Sequence, residues 1–496
     1  MRLRPVYAAL AGALVVGAFA PFNLWWLTLP GLMGLLALWQ DQNPRQAFVI
    51  GWGYGLGLFG AGIHWVFISI HQFGHAPLSL AVTLTLALIA FMAIFPALVG
   101  YALNRWFPVS GLGRYLLAFP ALWLVNEWAR TWIFTGFPWL LLGYTPLQTP
   151  LAGYAPVLGV LGVGWLVTLT AGALWHLIAA RSAKSLVGAG VIAVLWTAGI
   201  SLQTLQWTQP EGSAASVALV QGNVSQDQKW LAENRLPMLR RYLDLTRPHW
   251  GKDLVIWPEV AVTLPYHLVA TGFIDNLQQE ARAAGSDVLL GILRLDFERG
   301  QYFNSVLALD DQQQFYNKHH LVPFGEYFPV PEFIRKQMKV LDLPYTDMGS
   351  AALATEPLTV GKWRVAVSIC YEAVFGREVM SAVPRAQFLV NVSNDAWFGN
   401  SIAPHQHLQM AQMRALEAGR EMLRATNTGV TAIIDHRGEI VSRLPQFESA
   451  VLTGQVQPRS GVTPYVRWTD WPAGAMAGLF GLLALATKPR QPAKLD

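Results

Sequence analysis

The chain has 496 residues, of which 53% are apolar and only 13% charged, against about 25% charged in a soluble globular domain. That deficit excludes an ordinary soluble enzyme for much of the chain, and 21 tryptophans agree, because indole rings favour the membrane–water interface. The formal charge of +5, with no Lys/Arg run beside an aromatic cluster, argues against a nucleic-acid partner. The length allows two or three domains. Cys370 is the only cysteine, so no intrachain disulfide is possible and any thiol chemistry happens at one place.

A spanning helix needs roughly 20 mostly apolar residues. Seven such runs precede residue 208, near 5–20, 24–40, 47–69, 78–104, 113–133, 156–180 and 186–205, and an eighth lies near 467–487. Arg2 and Arg4 precede an apolar run that closes on Ala18-Phe19-Ala20, the pattern of a signal-peptide cleavage site. The three-residue link Pro21–Asn23 to the next run favours an uncleaved helical hairpin. With a cytoplasmic N-terminus and eight spans, Arg2, Arg4, Arg45, Arg105, Arg114, Arg181, Lys184, Lys488, Arg490 and Lys494 fall inside, while the short outer loops hold only Arg130. That bias follows the positive-inside rule and puts the segment after the seventh span outside the cytoplasmic membrane. The expected organisation is a seven-span domain over 1–208, a water-exposed domain over 214–459 and a last helix over 465–487.

In 214–459 charged residues become frequent and short strand-like runs appear: Val217–Val224, Leu254–Glu259, Val288–Leu293, Ser305–Leu309, Val365–Cys370, Phe388–Asn394, Val430–Asp435 and Val451–Val456. Helical patterns at Arg235–Thr246, Phe273–Ala284 and His405–Met422 alternate with them. The alternation predicts a layered α/β domain. Leu321–Pro357, rich in Pro, Phe and Tyr and without a period, reads as a long functional loop or lid.

Three segments carry candidate chemistry. Leu254-Val255-Ile256-Trp257-Pro258-Glu259 puts a carboxylate at the end of a buried strand that a proline stops. Tyr316-Asn317-Lys318 opens an aromatic-flanked turn that runs through Pro323-Phe324-Gly325-Glu326-Tyr327. Val365 to Ile369 is an apolar strand that delivers Cys370, followed by Tyr371 and Glu372. Strand ends commonly present functional side chains in α/β sheets. Taken singly, each has a bland explanation: a solvated strand-end Glu, a surface lysine, a buried inert thiol. A thiol must be activated to react, since a free cysteine has a pKa of about 8.5. Glu259 is the natural general base for it, and Lys318 a fixed charge that favours first the thiolate and then a tetrahedral oxyanion.

The order Glu, Lys, Cys, each near a strand end of one domain, resembles the nitrilase superfamily, which implies an αββα sandwich. The combination of spans, sandwich and last span resembles, more narrowly, the apolipoprotein N-acyltransferase family of bacterial inner membranes. The strings that carry this are Trp257-Pro258-Glu259, Tyr316 to Tyr327, Ile369-Cys370-Tyr371-Glu372, Asn391 to Phe398 and Asn223 to Trp230. The resemblance implies the catalytic residues Glu259, Lys318 and Cys370, with Glu326, Glu372, Tyr371, Trp230 and Asn394 supporting them or contacting substrate. It implies no cofactor and no metal, a monomer, a phospholipid donor such as phosphatidylethanolamine, and the α-amino group of a diacylglyceryl-cysteine apolipoprotein as acceptor. A Cys thioester would link the two half-reactions. Trp230, Phe324, Tyr327, Phe328, Trp397 and Phe398 are candidates to line acyl-chain access, with ordinary core packing the alternative.

Two other readings stay open. A tethered hydrolase would use the same triad with water as acceptor. A transporter would place ionisable groups within the membrane, where Glu127 and Arg130 are the candidates. Gly55-Leu56-Gly57-Leu58-Phe59-Gly60 matches G-x-G-x-x-G, but it lies inside a span with no strand before it, so close helix packing is expected instead of a dinucleotide. His405 and His407 read as polar helix residues. His64, His71 and His75 flank the outer end of the third run, at the interface or at lipid headgroups.

Overall fold

The computed structural model describes residues 3–180, 186–310, 312–327 and 347–487. Arg2, Arg181, Lys184, Phe328, Lys488, Arg490 and Lys494, and 328–346 of the aromatic loop, lie outside them. Two compact units form: one from 3–67, 76–205 and 468–487, the other from Ile68–His75 and Gln206–Arg467.

In the first unit every apolar run contains a helix: Arg4–Val16, Thr28–Trp39, Pro44–Gly62, Leu78–Trp106, Phe119–Ala129, Ala155–Ala180, Leu186–Gln203 and Trp471–Ala486. The expected count of about eight spans is not confirmed by helix length among the described residues. By length and composition, three helices among the described residues can cross a membrane: Leu78–Trp106, Pro150–Ala179 and Leu186–Gln203. Pro44–Gly62 with Val66–Phe73, bent by 59°, is a fourth if it counts as one span. The physical reason is that the apolar runs include the turns that end them. The first run is helical only to Val16, and Gly17 to Asn23 are spent on turns. The G-x-G-x-x-G glycines serve packing: a Cβ on Gly57 would land on the Ala9 carbonyl oxygen, and one on Gly55 would lie 2.5 Å from Ala93 Cα. Glu127 and Arg130 are buried but held locally. Glu127 Oε1 accepts from Leu142 N at 2.8 Å and Trp123 Nε1 at 3.2 Å, and Arg130 donates to the Trp139 carbonyl.

The second unit is two sheets packed face to face, its strands numbered in chain order. A short pair, β1 (Gln209–Pro210) and β15 (Arg459–Ser460), closes the ends of the unit. The first sheet holds β2 (Ala215–Gln221), β3 (Leu254–Ile256), β4 (Val262–Pro265), β5 (Asp287–Asp296), β6 (Gln301–Leu309), β7 (Gln314–Asn317) and β14 (Ala450–Val456), in the order β14-β2-β3-β5-β6-β7 with β4 beside β5. The second holds β8 (Leu358–Val360), β9 (Trp363–Ile369), β10 (Phe388–Ser393), β11 (Met422–Thr426), β12 (Ala432–Ile434) and β13 (Ile440–Arg443), in the order β13-β12-β11-β10-β9-β8.

The central strands β2, β3 and β5, and likewise β9, β10 and β11, run parallel. Parallel neighbours need crossover connections, which the helices Arg235–Thr246, Asp275–Ala283 and Ala403–Ala418 supply. Strands covered on both faces are apolar throughout. Val217, Leu219, Ile256 and Leu289 of one sheet meet Val365, Ile369, Val390 and Leu423 of the other. Val220, Val255 and Leu290 point outward against Leu239, Tyr242 and Leu277 of the helices. Leu389, Met422 and Ile434 do the same against Leu408, Ala411 and Ala415. Four layers result, in the order αββα. The helix expected to reach Met422 stops at Ala418, because Gly419 takes a left-handed conformation (φ 59°) and caps it; Met422 instead opens β11.

Candidate active site

Strand β3 ends at Ile256 because Pro258 cannot continue the ladder. Trp257 anchors this end: it is fully buried, stacks on Tyr242 at 5.1 Å and donates to Thr246 Oγ1 at 2.9 Å. Gly291 of β5 lets the strands close here, since a Cβ on it would sit 2.8 Å from Glu259 Cα. Glu259, only 7% exposed, is thus delivered into the interior with its carboxylate fully engaged. Oε1 accepts from Asn304 Nδ2 at 2.6 Å and lies 3.6 Å from Lys318 Nζ. Oε2 accepts from the Asn394 main-chain N–H at 2.7 Å.

Lys318 follows β7. Its main chain is pinned on both sides, N–H to Asn304 O at 2.8 Å and C=O to Ala351 N at 3.0 Å. Its Nζ donates to Glu326 Oε1 at 2.8 Å. Glu326 also accepts from Asn304 Nδ2 (3.2 Å) and Val322 N (2.8 Å), which ties the aromatic turn to the lysine it faces. Burial, the largest single influence, opposes charge on Lys318. Glu326, Glu259 and the neighbouring Cys370 together outweigh it and hold the ammonium well above its ordinary pKa.

Cys370 terminates β9 and opens a short 3-10 turn, Cys370–Val374, with φ at 50°. A positive φ on a non-glycine residue is uncommon and is held here by its neighbours. In register with β10, the thiol falls beside Ser393. Burial first, then the charge of Glu259, push the thiol pKa up, and Lys318 only partly offsets them. The thiol is therefore protonated at rest and next to a carboxylate, a pairing in which the carboxylate can take the proton as the sulfur attacks.

Glu372 lies in that turn and receives four donors: His319 N at 2.7 Å and His320 N at 3.2 Å on Oε1, Ile369 N at 2.7 Å and Tyr316 OH at 2.9 Å on Oε2. It fastens the turn after Lys318 to the turn that carries Cys370. Asn394 reaches three ways: main chain to Glu259, Nδ2 to Gln226 Oε1 (2.9 Å), and Oδ1 to Asn427 Nδ2 (2.9 Å). Tyr371 is buried against His320 and Phe375. Trp230 and Phe324 are exposed. Tyr327, Trp397 and Phe398 are half-buried.

At the elbow formed by the turn Cys370–Val374, His407 is buried with Nε2 3.1 Å from the Cys370 carbonyl and Nδ1 3.0 Å from Asp395 Oδ1. Burial, then the Arg424 guanidinium, lower its pKa. Asp395 opposes burial with Arg424 at 2.8 Å and His407, and its pKa falls well below the carboxylate range. His407 is thus a helix residue, as expected, but a fully enclosed one.

Sequence reasoning missed Asn304, Gln226, Lys229, Asn427 and this His407–Asp395–Arg424 group. Asn304 had a signal: it is a polar residue in the alternation of β6, one position before the expected strand start. Gln226 and Lys229 lie inside the string Asn223 to Trp230 and Asp395 inside Asn391 to Phe398, which the resemblance marks without giving them roles, and His407 reads only as a helix residue; Asn427 and Arg424 carry no signal.

Residues 11–173 match the apolipoprotein N-acyltransferase N-terminal domain, and residues 216–465 match the carbon-nitrogen hydrolase domain. The chain is similar over nearly its whole length to proteins named apolipoprotein N-acyltransferase. That of Methylococcus capsulatus is 44% identical over 479 residues, covering 96% of this chain and 94% of the relative. That of Vibrio cholerae is 40% identical over 488 residues, covering 96% of each. That of Azotobacter vinelandii is 44% identical over 480 residues, covering 95% and 93%.

Proposed function

The chain belongs to the apolipoprotein N-acyltransferase family, and from that premise we propose a ping-pong acyl transfer through Cys370, with Glu259 as base and Lys318 as the oxyanion's cation. The observation that carries the reading is the convergence of three strand ends. A buried carboxylate and a buried ammonium 3.6 Å apart stand beside the only thiol of the chain.

Glu259 takes the thiol proton as Sγ attacks an ester carbonyl of phosphatidylethanolamine. The tetrahedral oxyanion forms against Lys318, which keeps its proton throughout. Collapse breaks the ester C–O bond, Glu259 returns the proton to the departing lysophospholipid oxygen, and a thioester remains on Cys370. The α-amino group of the diacylglyceryl-cysteine of an apolipoprotein then attacks the thioester. Glu259 takes its proton, the C–S bond breaks, and the sulfur regains the proton. The products are an N-acylated lipoprotein and free enzyme. Splitting one transfer into two lowers each barrier. Glu326 holds Lys318 in line, Asn394 orients Glu259, Glu372 and Tyr371 fix the elbow, and Trp230 meets lipid.

The enzyme works as a monomer in the bacterial inner membrane. The apolar runs give eight helical crossings, and with that count the distribution of Lys and Arg favours a periplasmic catalytic domain. Tethering both ends keeps the site at the lipid surface, where both substrates reside.

Intact-protein mass spectrometry tests this. Incubation with phosphatidylethanolamine and no acceptor should add one fatty acyl mass, absent in Cys370→Ala and discharged by a diacylated lipopeptide. Release of free fatty acid in place of an adduct would favour the hydrolase. Neither adduct nor release, with transfer surviving in Cys370→Ala, would remove the cysteine from the mechanism.

A further inference from the structure

Lys229 is a second lysine buried at this site, and the chemistry above leaves it unused. It ends a single helical turn, Gln226–Lys229, just before the exposed Trp230. Its side chain turns inward, 2% exposed, and Nζ donates to the Glu259 main-chain carbonyl at 3.1 Å. The ammonium has three donors, and this is its one hydrogen bond among the described residues. No carboxylate lies within salt-bridge distance of it there, although Glu259 and Cys370 are close enough to act on it electrostatically. The first residue of the same turn, Gln226, accepts from Asn394, which in turn donates to Glu259 Oε2. One turn of helix therefore grips Glu259 from two directions, at its main-chain carbonyl and through Asn394 at its carboxylate.

A buried, underbonded ammonium is expensive to keep, and replacing it with an apolar side chain of similar shape is commonly neutral or stabilising. Titratable groups perturbed by burial and a specific charge partner cluster at functional sites. Burial lowers the Lys229 pKa to about 8 against the pull of Glu259 and Cys370. Below that value the ammonium is charged, and it then adds a second positive charge close enough to Glu259 and Cys370 to act on both.

We propose that Lys229 is a positioning residue of the acyl-transfer site: its ammonium holds the strand end that carries Glu259 and supplies a second positive charge that favours the Cys370 thiolate during attack. This rests on Cys370 being the nucleophile. The charged and titratable groups facing Cys370 are Glu259, Lys318, Lys229, Asp395 and Tyr371, with His407 on its carbonyl. Those facing Lys229 are Glu259 and Cys370. Of the cations in this set, Lys318 is paired with Glu326, so Lys229 is the one whose charge no carboxylate contact absorbs.

The test uses the full-length protein in detergent with Lys229→Met and Lys229→Gln. Because Cys370 is the only cysteine, iodoacetamide alkylation from pH 7 to 10 reads its thiolate directly, with or without lipid. Both variants should alkylate about tenfold more slowly than wild type at pH 7, equivalent to roughly one unit in the thiol pKa, with the gap closing above about pH 8 as the wild-type ammonium loses its proton. Acyl-enzyme formation from phosphatidylethanolamine should slow by a similar factor, while the melting temperature of Lys229→Met stays level or rises. Lys229→Gln keeps a donor to the Glu259 carbonyl, so it reports on charge even if Lys229→Met fails to fold. Alkylation of Lys229→Gln at the wild-type rate across the pH range would overturn the proposal, as would a slowing by one constant factor at every pH, which signals altered access. Failure of the nucleophile reading itself would look different: Cys370→Ala would retain transfer, whatever the Lys229 variants do.

Discussion

Replacing Glu372 by glutamine should loosen the site without touching Glu259, Lys318 or Cys370. The four groups around its carboxylate are all donors, two main-chain N–H on Oε1 and one N–H plus the Tyr316 hydroxyl on Oε2. A glutamine must point its NH2 at one pair. Aimed at Oε1 it opposes two N–H groups. Aimed at Oε2 it opposes only Ile369 N–H, because the Tyr316 hydroxyl can rotate to accept. The second arrangement wins, leaving one buried N–H unpaired at about 1–3 kcal/mol. The other bonds lose their charge assistance, which roughly halves such bonds. The total is about 2–4 kcal/mol, or about 5–15 °C in the melting temperature of a unit this size. Glu372→Ala leaves every donor unpaired and should cost more, while Tyr316→Phe removes one bond and should cost about 1 kcal/mol. Misplacing Lys318 against Cys370 by about 1 Å would slow acyl-enzyme formation on the order of a hundredfold. Thermal unfolding in detergent and single-turnover acylation measure both. A Glu372→Gln variant with the melting point and acylation rate of wild type would refute the idea that this carboxylate fastens the two turns together.

Three further outcomes are expected. Lys318→Ala should lose about 3–4 kcal/mol of transition-state stabilisation, some hundredfold to thousandfold in acylation rate; substantial residual turnover would deny it the oxyanion. The thiol of Cys370 is held above its ordinary range by burial and Glu259, so its alkylation rate should still be climbing past pH 9, where an exposed thiol with a pKa of about 8.5 has nearly levelled off; a plateau below pH 8 would contradict the site's electrostatics. Asp395 has a depressed pKa in the folded chain, with burial opposed by Arg424 and His407, so its contribution to stability is present above the unfolded value of about 3.9 and is lost as pH falls below it. Acid unfolding should therefore steepen below about pH 4 and flatten in Asp395→Asn, and an unchanged acid limb in that variant would count against the His407–Asp395–Arg424 group.

Much of the αββα unit was legible locally. Apolar runs of four to eight residues bounded by Pro, Gly or Asp mark buried strands whatever lies beside them, and each expected run falls on a strand. The helix Arg235–Thr246 was legible end to end from its period. Glu259, Lys318 and Cys370 stood out because strand ends can be located from such breaks, and a lone cysteine at one of them attracts notice. Length along the chain misled where one residue decides the backbone. Gly419 adopts a left-handed conformation and hands the next segment to β11, and the turn after Val16 shortens the first apolar helix.

What surrounds the carboxylate was decided only by the fold. Glu259 and Asn394 are 135 positions apart, Lys229 and Glu259 are 30 apart, and Asn304 and Glu259 are 45 apart. Periodicity in a sequence encodes which face of a strand or helix is buried, and that is a local quantity. Which polar group meets which buried charge depends on sheet order, register and crossover geometry, and these are properties of the packed chain alone.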